Sequence, residues 1–222
     1  MEILYEDHDI TVAVKPPDLV SEQTPQKNGF ADRLAERNPD GYIGVVHRLD
    51  RGVGGIMVYA RTPLAAARLS ASVQAHTFQK EYLALIHGEP EVPYATLTDL
   101  LFHDRNRNKT FVVERERKGV KQAILDYEVL GCAESPTYGR HSLVRIRLHT
   151  GRTHQIRVQF AHRGHPLLGD GKYGAHDRCP IGLFCYRLAF PHPLSQKRLC
   201  FEKEWERGLD VNEGKEGFPS RT

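Results

Sequence analysis

The chain has 222 residues, 40% hydrophobic and 27% charged, a balance that excludes a mainly disordered chain and is long enough for one large domain with its own core. Four cysteines without close paired spacing exclude a disulfide framework or a zinc knuckle, and no apolar run reaches the length of a membrane span. The formal charge of +3 is weak evidence for any partner, and the opening seven residues lack a basic start followed by an apolar core, so the expected address is cytoplasmic.

Ile10 to Val14 is β-branched and apolar and runs into Lys15-Pro16-Pro17-Asp18, which ends a ladder, so it reads as a strand followed by a loop. Ser21 to Gly29 is a polar connection, and a short helix is expected around Ala31 to Ala35. Gly55 to Ala60 is a second strand. Thr62-Pro63 supplies a cap and a first-turn proline for an alanine-rich helix whose Ala65, Leu69 and Val73 share the face that packs on the sheet.

Lys80 to His87 returns to strand and stops at Gly88. Further strands are expected at Thr110 to Val113, Ala123 to Leu130 and Leu143 to His149. In the last of these, Val144, Ile146 and Leu148 alternate with Arg145, Arg147 and His149, which gives one buried face and one basic face. Thr153 is the expected cap of a helix with Ile156 and Phe160 on its buried stripe, ended by Gly164. Phe184 to Ala189 and Arg198 to Phe201 read as the last strands, and the polar stretch 208–222 as a flexible tail after a domain spanning 1–207. Strand runs without regular strand-helix alternation point to an α+β fold with a mixed, largely antiparallel sheet and a few helices. There is no internal repeat, and neither GxGxxG nor GxxxxGK[ST] occurs, so no nucleotide cofactor is motivated.

Two stretches could carry chemistry. His47-Arg48-Leu49-Asp50-Arg51 precedes Gly52 and Gly54-Gly55, which permit a sharp turn and close approach of a ligand. Arginines flanking Asp50 would favour its ionised form, suited to a nucleophile and unsuited to a general acid. A structural aspartate capping a turn has the same signature, and local spacing does not separate the two. Gly151-Arg152-Thr153-His154-Gln155-Ile156-Arg157 gathers donors at a helix start, which favours an anion, although an exposed charged helix start reads the same way. Basic residues also cluster from Arg105 through Lys109 to Lys121, and at Arg145, Arg147, Arg152, Arg157 and Arg163; RNA contact and a solvated face both fit them.

These strings, with His165-Pro166-Leu167-Leu168-Gly169-Asp170, Lys15-Pro16 and Lys80-Glu81-Tyr82-Leu83-Ala84, resemble the signature blocks of RluA-type pseudouridine synthases in both order and spacing, from about Ile3 to Phe201. The resemblance implies an isomerase that flips selected uridines out of ribosomal or transfer RNA. It implies Asp50 as the catalytic carboxylate, Arg157 as its partner and Tyr82 as the residue stacked on the base, with Arg48 entering the RNA stack. Leu168 is implied as an apolar wall, and Arg152, His154 and Gln155 as binding or loop-holding residues. Neither cofactor nor metal is implied, RNA is the expected partner, and a monomer is favoured. The chain is expected to lack the N-terminal RNA-binding module of many relatives. Val53-Gly54 replaces a threonine-serine pair usual in the family, and Asp18 replaces a loop glycine.

Two other classes compete. One is a noncatalytic RNA-binding protein on the same fold, with Asp50 structural. The other is a metal-assisted hydrolase, for which twelve histidines are the argument and the absence of HExxH spacing the counter-argument.

Overall fold

Two strands with both faces covered form the spine of the molecule: β2 (Ile10–Lys15) and β4 (Gly54–Ala60), paired antiparallel from Ile10↔Ala60 to Lys15↔Gly55. Their run of Val, Ile, Ala and Met suits double-sided burial, and every residue of β4 is buried. The computed structural model describes residues 1–38 and 41–206, so the expected tail and the boundary at 207 lie outside the described residues.

Around this spine the remaining elements complete one sheet. The strands are β1 (Glu2–Glu6), β3 (Gly44–Val45), β5 (Gln79–His87), β6 (Tyr94–Asp104), β7 (Lys109–Val113), β8 (Val120–Ser135), β9 (Gly139–Leu148), β10 (Leu183–Pro191) and β11 (Arg198–Glu202). Spatial order is β1-β2-β4-β10-β5-β9-β8-β6-β7, with β3 on β4 and β11 on β10. All pairings are antiparallel except β4 with β10, so the sheet is mixed and largely antiparallel, as the sequence predicts.

Alternation along the strands places the two larger buried clusters on opposite faces. One face carries Ala13, Met57, Tyr59, Tyr82, Ala84, Val144 and Ile146 under helices α1 (Phe30–Ala35) and α3 (Gln155–His162). The other carries Ile10, Val12, Ile56 and Val58 under Ala65 and Leu69 of α2 (Pro63–Gln74), whose Thr62 cap accepts the Ala65 N–H at 3.2 Å. Val73 is partly buried on the same cluster.

Strands β1, β3 and β6 go beyond the sequence-based expectations: β1 and β3 carry no fully buried residue, and only Leu97 and Leu101 of the eleven residues of β6 are buried hydrophobics, with Asp99 interrupting the pattern. Helix α3 is not capped by Thr153: its N-cap is His154, in left-handed conformation with φ +54 and no side-chain cap bond. The Gln155 side chain works in reverse there, its Oε1 accepting the Arg152 N–H at 3.0 Å and the Thr150 hydroxyl at 2.8 Å.

Gly55 serves a backbone approach, not a ligand. At φ +134 it faces β10, and a Cβ on it would lie 2.5 Å from the Cys185 nitrogen. Gly55→Ala is expected to lower unfolding free energy by about 2–4 kcal/mol, because strain and steric overlap add; urea titration measures it.

Candidate active site

Asp50 stands in the loop between β3 and β4, and that loop is tied down on both sides. Ser21 Oγ accepts the Leu49 N–H at 3.0 Å and donates to the Leu49 carbonyl at 2.8 Å. Beyond Asp50, the fully buried Lys15 ammonium contacts the Arg51 carbonyl at 3.4 Å while also donating to the carbonyls of Pro16 and Leu19. Burial pulls the Lys15 pKa down to about 8, against the opposing charge of Asp50. Asp18, where the family favours glycine, takes φ +68 and its carbonyl accepts Arg51 Nε at 3.1 Å.

The carboxylate of Asp50 is 28% exposed at the base of an open cavity of about 1170 Å³. Its partner comes from α3: Arg157 Nη1 donates to Asp50 Oδ2 at 2.8 Å. The same guanidinium donates through Nε and Nη2 to both oxygens of Asp170, at 2.7 and 2.8 Å, and Asp170 is 1% exposed. Burial works against the Arg157 charge, yet the Asp170 bonds and charge, with Asp50, raise its pKa above the ordinary value. Arg48 and Arg51 were expected to serve Asp50, but Arg48 pairs with Glu22 at 2.8 Å and Arg51 with the Asp18 carbonyl.

A second group faces the same carboxylate. His154 Nε2 lies 3.8 Å from Asp50 Oδ2, while its Nδ1 lies 2.9 Å from the Tyr173 hydroxyl. The Tyr173 oxygen also accepts the Thr110 N–H at 2.8 Å. Burial, opposed by Asp50 and assisted by Arg157, pulls the His154 pKa down to about 4. The Tyr173 ring also lies beneath Arg157, with 5.2 Å from the guanidinium carbon to the ring centroid. Tyr173 follows directly on the Gly169-Asp170 string, and that proximity was the available signal for it.

Tyr82 lines the cavity from β5 and is 5% exposed. Burial first, then Cys185 and the charge of Asp50, push its pKa well above the usual phenol value, so it presents a neutral ring and hydroxyl. Arg152 lies at the mouth with Nε donating to the Gln122 carbonyl at 2.9 Å, and the Arg48 side chain is 67% exposed there. Gln155 lines the cavity too, but its amide donates to the Ile124 carbonyl at 3.1 Å and its oxygen accepts twice within the loop, a loop-holding arrangement.

Leu168 is elsewhere. It packs with Leu85 on the opposite face of the sheet from Tyr82, because Tyr82 and Leu85 project to alternate sides of β5. The apolar wall of the cavity is supplied instead by Ile181 and Leu183. At the Val53-Gly54 departure, Val53 is buried in the core and Gly54 abuts the Phe184 ring, so apolar packing fills this turn. The second basic cluster is also partly neutralised, with Arg145 paired to Glu128 and Arg163 to Asp99.

Among the described residues, one group has metal-like proximity: Asp7, Asp9 and His192. Its bonds are already taken. Asp7 accepts from the Asp9 and Ile10 amides, the Tyr5 hydroxyl and His192 Nε2, while His192 Nδ1 accepts from the Leu194 and Ser195 amides. This is a clip joining the β1–β2 and β10–β11 turns.

Asp170→Asn is expected to cost about 3–5 kcal/mol of stability by leaving Arg157 underpaired in the interior, read by thermal or urea unfolding. His154 gives a pH signature. Its folded pKa near 4 lies below the ordinary 6.5, so the unfolded chain binds the extra proton, and stability falls as pH drops from 6.5 toward 4. His154→Gln should reduce the slope of unfolding free energy against pH in that window by up to about one proton.

A sequence profile described as RNA pseudouridylate synthase matches residues 9–162. An uncharacterized RNA pseudouridine synthase of Aquifex aeolicus is 33% identical over 92% of this chain and 69% of its own length. Ribosomal large subunit pseudouridine synthase D of Vibrio parahaemolyticus is 33% identical over 90% of this chain and 66% of its own. The chain thus spans about two thirds of the length of these relatives. The solved structure of human RNA pseudouridylate synthase domain containing 1 superposes with a TM-score of 0.76 at 25% identity, covering 91% of this chain and 83% of that one. The chain belongs to the RNA pseudouridylate synthase family, whose reaction is an isomerisation of uridine within RNA.

Proposed function

We propose that this chain converts selected uridines of ribosomal or transfer RNA to pseudouridine, with Asp50 as the essential carboxylate. The observation that carries the proposal is a partly exposed carboxylate fixed by a buried arginine at the base of a cavity that Tyr82 also lines. In the reaction the bond from ribose C1′ to uracil N1 breaks, the base turns, and C1′ bonds to C5. The C5 hydrogen leaves as a proton and N1 gains one, so no redox partner or co-substrate is needed. The Asp50 carboxylate, paired with Arg157, is the group suited to capture or stabilise the electron-poor centre. Tyr82 offers the extruded base a stacking surface, with Ile181 and Leu183 as the apolar side of the slot.

A cavity of about 1170 Å³ exceeds the ~300–1,000 Å³ typical of small-molecule pockets, which suits a nucleotide still attached to its strand. Arg48, Arg152, His103 and Lys172 line it, and the exposed Arg105 and Arg107 cap the adjoining β6–β7 turn. The arginines and Lys172 among them fit phosphates of the flanking strand, so affinity should be salt-sensitive. The Vibrio relative's name specifies the large ribosomal subunit, which favours ribosomal RNA as the first substrate class to examine.

The noncatalytic reading is separated by one substitution. Asp50→Asn should leave RNA affinity within about twofold and reduce pseudouridine formation by at least about a thousandfold. Filter binding and single-nucleotide mapping of pseudouridine in total RNA measure the two arms. Equal pseudouridine formation by wild type and variant, or none by either, would overturn the assignment.

A further inference from the structure

We infer that Lys80 forms a dedicated phosphodiester subsite, holding the RNA phosphate next to the flipped uridine; this rests on the function proposed above. Lys80 and Tyr82 project from the same face of β5, about 7 Å apart along the strand, and both line the cavity. A nucleoside stacked on Tyr82 therefore brings one of its own phosphates within reach of the Lys80 ammonium. The ammonium lies against the loop before α3, since a Cβ on Gly151 would be 3.6 Å from Nζ.

What distinguishes Lys80 is the lack of an internal counter-charge. Among the described residues it has no ion pair within 4.0 Å and no recorded hydrogen bond. Lys15, which is fully buried, shows the contrast: it is satisfied by three carbonyls. Glu81, next in sequence, projects to the opposite face and binds Arg187 and Tyr186. The titratable groups that interact with Lys80 are His47 and Cys185, and both are neutral at ordinary pH. Burial drives the His47 pKa well below its usual value, with Lys80 adding to the effect, and burial raises the Cys185 thiol to about 12. Burial likewise lowers the Lys80 pKa, opposed only by Cys185.

A half-buried cation, bordered by neutral groups and facing the cavity, destabilises the free protein unless an anion arrives from outside. The anion that the substrate carries into this cavity on every turn of the strand is phosphodiester. A lysine is suited to it as a compact point charge.

The test uses the full chain as wild type, Lys80→Met and Lys80→Arg. Three readouts apply: melting temperature without RNA, affinity for a short oligouridine RNA across a salt series, and single-turnover pseudouridine formation on transcribed large-subunit ribosomal RNA. Lys80→Met is expected to melt higher than wild type, because an isosteric apolar chain replaces an unpaired cation. It should bind RNA about five- to tenfold more weakly, with a log-log salt slope shallower by about 0.7, the loss of one phosphate contact on a single strand. Lys80→Arg should restore most of the slope. A lower melting temperature with an unchanged salt slope would mark Lys80 as a structural residue and overturn the inference, as would unaltered affinity in Lys80→Met. Absence of pseudouridine formation by the wild type would instead count against the proposed function, while the oligouridine measurements would still decide the subsite.

Discussion

Everything chemical in this molecule depends on how one guanidinium divides its donors. Arg157 gives two to Asp170, which is almost fully buried, and one to Asp50, which is not. The bidentate pair fixes the plane of the guanidinium, so the remaining donor has a direction that does not depend on Asp50. Asp50 is thereby left with a preset partner and an exposed edge. Two carboxylates with the same partner acquire different duties purely through burial.

Tyr173 supports this arrangement from beneath, and it does so twice. Its ring lies under Arg157, and its hydroxyl holds Nδ1 of His154 at 2.9 Å. Burial disfavours the charged form of His154, so Arg157 is the charged group bonded directly to the carboxylate. The strained φ of His154 belongs to the same design, since it directs the ring back toward the loop that bears Asp50.

Much of the fold was legible because strands such as β2, β4 and β9 wear their burial as runs or alternations of apolar residues. β6 was not, since its polar positions are satisfied by long-range partners such as Arg163 and Gln159 that a local pattern does not reveal. The site divides in the same way. Asp50, Tyr82 and Arg157 stood in recognisable strings and the fold brings them to one cavity. Leu168 follows the Ile86↔Leu167 bridge into a turn, and it is Leu167 that shares a cluster with Tyr82 while Leu168 packs with Leu85, a placement its string does not reveal. Lys80 and Tyr173 escaped notice because their significance lies in what surrounds them, an absence of counter-charge for one and a shared ring and hydroxyl for the other.

The position of β10 has a consequence for how the chain is made. It pairs with β4 on one side and β5 on the other, although it is synthesised about a hundred residues after them. Until residues 183–191 emerge from the ribosome, Gly54 and Gly55 on one flank and Gln79 to Ala84 on the other are open edges in the middle of the sheet. Such edges invite pairing with other chains, so a nascent protein stalled short of this strand is both inactive and prone to stick. Closure of the sheet therefore waits for residues 183–191, and until they are made the two flanking edges stay unpaired.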